Sequence, residues 1–211
     1  MGIIILLCLF IIIYYNYYIK ESMINYQIND KKFKVYDKFN NYHNASELLY
    51  EIDKRIHILL SHLNMKYSLN NTSPTLQIKI NYLIFKYKSN NIKENFPNTY
   101  LGYGKKPDSS FTLNKQIIAI CLRHEKTKKL HDINELMFVS IHELAHMGNV
   151  DKNGLLYGHN KSFWCLFKFL LHEAEEIGII KNKDYQNNKI EYCNTTIHAN
   201  PYFDNINNCF N

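Results

Sequence analysis

The spacing of apolar residues along this chain changes period several times, and each change marks an element. Ile3 to Ile13 is an unbroken apolar run, extended by Tyr14, Tyr15, Tyr17, Tyr18 and Ile19 and closed by Lys20 and Glu21. About 17 residues in helical form reach roughly 25 Å, marginal for a bilayer core of about 30 Å. The tyrosines suit the headgroup boundary. No basic residue precedes the run and no A-x-A follows it, which argues against a cleaved signal peptide. The pattern predicts a transmembrane helix, a single-pass anchor over residues 1–21 that meets lipid through residues 3–19. Lys20, Lys31, Lys32 and Lys34 follow the span, which places the body on the cytoplasmic side by the positive-inside rule.

Beyond the leader the period falls to two. Tyr26 and Ile28 before Asn29-Asp30, then Phe33 and Val35, predict a hairpin over 24–37. A helical stripe follows over 46–65 (Leu48, Leu49, Ile52, Ile56, Leu59, Leu60, Leu63), with Ser46 as its expected cap. Ser73-Pro74 reads as an N-cap with proline at the first helical position, opening a stripe through Leu76, Ile80, Leu83, Ile84 and Tyr87. Ile78, Ile80, Tyr82 and Ile84 also alternate, so a strand competes there. Residues 90–109 carry Asn, Gly and Pro and read as irregular. The stretch Phe111–Arg123, with its run Ile117–Leu122, reads as a buried strand. Asp132 with Glu135 forms a capping-box signature for a helix running to about Met147, which Gly148 is expected to stop. A further helix spans Lys161–Ile177, and Gly178 ends it. Residues 181–211 are Asn-rich and poorly patterned.

Composition adds little. The formal charge is +6, but the lysines are dispersed; the densest group, Lys126, Lys128 and Lys129, reads as a solvated loop. A nucleic-acid partner is therefore not supported by charge clustering. The five cysteines (Cys8, Cys121, Cys165, Cys193, Cys209) are odd in number and contain no C-x-x-C pair. They do not read as a disulfide framework or a cysteine zinc site, and a reducing compartment is the simpler reading. Sequons at Asn44, Asn71 and Asn194 argue weakly the other way.

The chemistry lies in His142-Glu143-Leu144-Ala145-His146. Residues i and i+4 share a helix face, so two imidazoles can bind one metal ion. Glu143 is placed beside them as the general base for a metal-activated water. A zinc hydrolase needs a third protein ligand and an open fourth position. His159, beyond a loop carrying Gly154 and Gly158, is the first candidate, and Glu173, Glu175 or Glu176 of the next helix the alternative. His43, His57, His62, His124, His131, His172 and His198 lack ligand spacing; only His172 is near enough for a supporting role. Tyr157 is a candidate for polarising a substrate carbonyl, against a packing role.

These motifs, with Gly158-His159-Asn160-Lys161-Ser162-Phe163-Trp164, resemble the WLM metalloproteases, relatives of the Spartan and SprT-like peptidases, in the form seen in large DNA viruses. The family pattern is H-E-x-x-H, a short loop, then H-x-x-x-F-W at a helix start, and His159, Phe163 and Trp164 fall on those positions. The resemblance covers about residues 110–178. It implies Zn2+ held by His142, His146 and His159, with Glu143 catalytic. Twelve residues separate His146 from His159 here, against five in the cellular family. That insert puts the third ligand in question. Cellular relatives cleave proteins crosslinked to DNA, a substrate not carried over to a chain with dispersed charge.

The expected architecture is α+β: an N-terminal anchor over 1–21, a zincin-like metallopeptidase domain with a small sheet flanked by helices over 22–180, and a tail over 181–211. The expected function is a membrane-anchored zinc metallopeptidase, at a host or virion membrane, acting on a protein or peptide substrate. The alternatives are a non-enzymatic membrane or virion protein with structural zinc, and a soluble DNA-associated peptidase.

Overall fold

The structure, a computed structural model, describes residues 23–68, 72–95, 109–207 and 209–210. Five strands form one mixed sheet: β1 (Met23–Ile28), β2 (Lys31–Tyr36), β3 (Ile92–Asn95), β4 (Phe111–Leu113) and β5 (Ile117–Cys121). Their order is β1-β2-β3-β5-β4. The hairpins β1–β2 and β4–β5 are antiparallel, while β2–β3 and β3–β5 are parallel. Parallel neighbours need crossovers. Two helices, α1 (Tyr42–Tyr67) and α2 (Pro74–Lys86), lie in the connection from β2 to β3. After β5 come α3 (Ile133–Gly148), a small hairpin of β6 (Val150–Asp151) and β7 (Gly154–Leu155), and α4 (Lys161–Glu176). A last hairpin, β8 (Ile190–Tyr192) and β9 (Thr195–Ile197), lies in the tail.

The α+β architecture agrees with the sequence pattern, but the transmembrane helix expected with it is corrected. Among the described residues no helix is long and apolar enough to cross a membrane. The longest, α1, buries Leu49, Ile52, Ile56, Leu59, Leu60 and Leu63 on one face and carries charges on the other. It is amphipathic because it covers a sheet. The apolar leader that prompted the expectation lies outside the described residues.

Helix α3 is central, and is apolar on nearly every side: Leu136, Met137, Ile141, Leu144, Ala145 and Met147 are fully buried. Asp132 caps it by accepting from the Asn134 N–H. Glu135 does not complete the expected capping box with it; its carboxylate lies 3.5 Å from His131 Nδ1. Gly148 does not stop the helix but belongs to its last turn. A Cβ there would stand 2.6 Å from the Leu83 side chain, so glycine is needed for α2 to approach. Gly178, with φ +72, does turn the chain after α4.

Other local readings change. Ser46 is not the cap of α1; the helix begins four residues earlier, and the Ser46 hydroxyl donates to the Tyr42 carbonyl. Asn41, the residue at the cap position, makes no side-chain cap because its Oδ1 accepts from Arg123. Residues 92–95, read as irregular, form a strand inside the sheet. Glu94 there is fully buried, yet accepts from Arg123 Nε at 2.6 Å and from the Tyr36 N–H at 2.9 Å. A paired charge lets a polar sequence occupy the sheet interior.

The cysteine reading is overturned. Cys121 is bonded to Cys193 and Cys165 to Cys209. Each joins the tail to the body, so no local spacing announced them. Tyr185 and Tyr192 of the tail are buried in the core. Tyr192 Oη donates to the Cys121 carbonyl at 2.7 Å and meets Ser110 Oγ at 2.7 Å.

Candidate metal centre

Helix α3 brings His142 and His146 onto one face, with ring centroids 4.9 Å apart. The insert before α4 returns His159 to them. His159 Nε2 stands 3.2 Å from His142 Nε2, and one ligand atom from each of the three imidazoles lies within 4.8 Å of the others. Two nitrogens on one tetrahedral zinc at about 2.0–2.1 Å would be separated by about 3.3 Å. The donor set therefore fits such an ion.

Aromatic packing sets the rings. Phe163, fully buried at the start of α4, lies 5.0, 4.3 and 4.7 Å from the His142, His146 and His159 rings. Trp164 covers His159 at 5.5 Å. Asn160 caps α4 by accepting from the Phe163 N–H at 2.9 Å, which fixes the helix start at Lys161, two residues after His159.

All three imidazoles are held neutral, the form that can ligate a metal. Burial, then the neighbouring His146 and His159, lowers His142 to about 3. Burial, then His159 and the Lys115 cation, lowers His146 to about 4. Burial also lowers His159. Glu143 is 4% exposed, and burial lifts its carboxyl to about 7 against the opposing bond from Thr112. Thr112 Oγ1 lies 2.8 Å from Glu143 Oε2 and 2.9 Å from the Glu143 carbonyl. Its single hydroxyl proton serves one of them at a time.

A cleft of about 380 Å³ opens over these groups, bounded by Phe111 and Thr112 of β4, by α3, and by Leu156–His159. A larger groove of about 570 Å³ runs along α1 beside Ile58 and Met65 and holds none of the three imidazoles. Among the described residues β4 is an edge strand of the sheet, and Phe111 and Thr112 on it line the cleft.

The alternative ligands lie elsewhere. Glu173 is bound by Tyr67 Oη at 2.6 Å, His62 Nε2 at 2.8 Å and Lys66 Nζ at 3.0 Å. Lys66 also reaches Glu176 at 2.6 Å, so an ammonium already stands among His62, Glu173 and Glu176 where a metal ion would have to sit. Glu175 accepts from the Asn182 N–H. His172 stacks on Tyr202 at 4.1 Å and takes no part in the centre. Tyr157 lines the cleft, 72% exposed. Sequence reasoning missed Thr112 and Lys115; neither sits in a motif, and only the β4–β5 hairpin brings them to α3.

A chain with this fold and a three-histidine cluster over an open cleft has relatives among viral proteins. It is 33% identical to the uncharacterized protein R325 of Acanthamoeba polyphaga mimivirus over 181 residues, covering 84% of this chain and 83% of that protein. Shorter matches join it to uncharacterized protein 042R of Invertebrate iridescent virus 3, at 43% identity over 65 residues (31% of this chain, 38% of the relative). Uncharacterized protein 136R of Invertebrate iridescent virus 6 matches at 38% over 72 residues, 33% of this chain and 38% of the relative. The chain belongs to the same family as the mimivirus protein R325. No protein-family profile and no solved structure matches it.

Proposed function

We propose that this protein is a zinc-dependent metallopeptidase of the WLM kind, acting on a protein or peptide. The observation that carries the reading is the convergence of His142, His146 and His159, with Glu143 next to the first, on one side of an open cleft. Among the described residues no fourth Asp, Glu, Cys or His joins the cluster. Three protein ligands leave a position for water, whereas structural zinc takes four.

A bound divalent cation would supply Lewis acidity toward water and toward the substrate carbonyl. Glu143 takes a proton at its carboxylate and returns it to the leaving amine. Burial lifts its carboxyl to about 7, and a cation bound beside it would favour the carboxylate that accepts the proton. Thr112, bonded to Oε2, holds the carboxylate in orientation. The β4 edge offers backbone groups to an extended peptide.

The test measures bound metal and cleavage of a denatured protein by wild type and by Glu143→Gln. We expect one zinc in both proteins and cleavage by wild type alone. Zinc in both with no cleavage by wild type across a broad substrate panel would replace this reading with structural zinc. No metal in either would remove the centre itself.

A further inference from the structure

The insert between His146 and His159 raises a mechanical question: what returns His159 to the other two imidazoles across twelve residues? We propose that Lys115 is a positioning residue that closes the three-histidine site by locking the start of this insert to the end of α3. This rests on the metal-centre reading above.

Lys115 sits in the β4–β5 turn, where Asn114 and Lys115 have φ of +50 and +52. Such a conformation costs a lysine roughly 1–2 kcal/mol, so the fold holds it there against local preference. Its side chain turns inward and is 6% exposed. The ammonium donates to the His146 carbonyl at 2.6 Å and to the Asn149 carbonyl at 2.9 Å. These carbonyls belong to the last turn and cap of α3, where the His146 carbonyl also accepts a long bond from the Asn149 N–H at 3.4 Å and the dipole favours a cation.

From Asn149 the contacts lead to His159. The Asn149 carbonyl also accepts from the Leu156 N–H at 2.9 Å. That pairing folds residues 150–155 outward as the β6–β7 hairpin. Asn149 Nδ2 reaches Asn160 Oδ1 at 3.3 Å, and Asn160 caps α4. Lys79 donates to the Val150 carbonyl and holds the hairpin's base. The excursion is thereby removed from the path, and Leu156 re-enters three residues before His159. Lys115 is the donor common to the end of α3 and the start of the insert.

The test is a double-mutant cycle on zinc affinity, by chelator competition, in the full chain. The proteins are wild type, Lys115→Met, His159→Ala and the double variant, with Lys115→Arg as the conservative control. We expect Lys115→Met to weaken zinc by about 10- to 100-fold. The double variant should bind within about twofold of His159→Ala, because a lock has nothing to act on once the ligand is gone. Lys115→Arg should recover most of the affinity. The cobalt absorption of Lys115→Met should move toward that of His159→Ala. Losses that multiply in the double variant, or wild-type affinity in Lys115→Met, would overturn the proposal while leaving the metal centre intact. Zinc binding that His159→Ala does not weaken would overturn the centre and this inference with it. Where circular dichroism finds Lys115→Met unfolded, Lys115→Gln enters the same cycle with the same two outcomes.

Discussion

At the scale of single residues, the candidate site depends on groups whose chemistry is ordinary until their surroundings alter it. Glu143 is one. Burial favours its protonated form and the Thr112 hydroxyl favours its charged form. Removing that hydroxyl in Thr112→Val should raise the carboxyl further and move the acid limb of the kcat/KM profile to higher pH. The accompanying loss near neutral pH is about tenfold, the size of one hydrogen bond to a charged group. Zinc content should not change, and Thr112→Ser should restore the profile. The pH dependence of kcat/KM for the three proteins checks this. Gly148 makes a steric case. Gly148→Ala drives a Cβ into Leu83, which is fully buried. We expect a loss of about 1–3 kcal/mol, measured as a lower midpoint in urea with an unchanged slope.

At the scale of elements, the helices were legible and the sheet only partly so. The stripes Leu49-Ile52-Ile56 and Leu76-Ile80-Leu83 are periodic because each helix buries one face, and burial is what periodicity reports. Residues 92–95 gave no such signal. Glu94 is tolerable inside the sheet only because Arg123 arrives from beyond β5, and no local window contains that partner. The tail gave no signal for a related reason. Its order comes from Tyr185 and Tyr192 in the core and from two disulfides with separations of 72 and 44 residues. Closing loops of that size restricts the unfolded chain by about 4 kcal/mol each. The double change Cys121→Ser with Cys193→Ser should therefore lower thermal stability markedly. A dithiol reductant should do the same to wild type and nothing further at that pair in the variant. Thermal unfolding with and without reductant decides it.

At the scale of the whole molecule, several ionisable groups are buried in their neutral forms, and stability must follow pH. Burial and the neighbouring His124 lower His131 to about 4, while His142 and His146 fall to about 3 and about 4. An unfolded histidine titrates near 6.5. Between those values the unfolded chain takes up protons that the folded chain refuses. The stability these groups contribute is complete above about 6.5 and is lost as pH falls toward 4. Glu143 opposes this, because its raised carboxyl favours the folded state as pH falls from about 7 toward its ordinary range. Three imidazoles outweigh one carboxyl. Protein stripped of metal by chelation should thus lose up to about 3 kcal/mol per pH unit through this window. Denaturant titrations from pH 7 to pH 4.5 provide the measurement, and a flat or rising profile would contradict the assignment. Bound zinc should hold the profile up until the ligands are protonated.

Some of this protein is written in its sequence alone. Two histidines four apart, flanking a glutamate, share one face of any helix they form, and an apolar stripe makes that helix form. Two candidate ligands and the candidate base are consequently local facts. The third candidate ligand, the Thr112 contact, the Lys115 contacts, the Glu94–Arg123 pair and both disulfides are not local. Each joins residues distant in sequence, and their distances are set by how sheet, helices and tail pack together. A turn of helix repeats its geometry wherever it occurs, while the closure of the insert that returns His159 exists only in the folded chain.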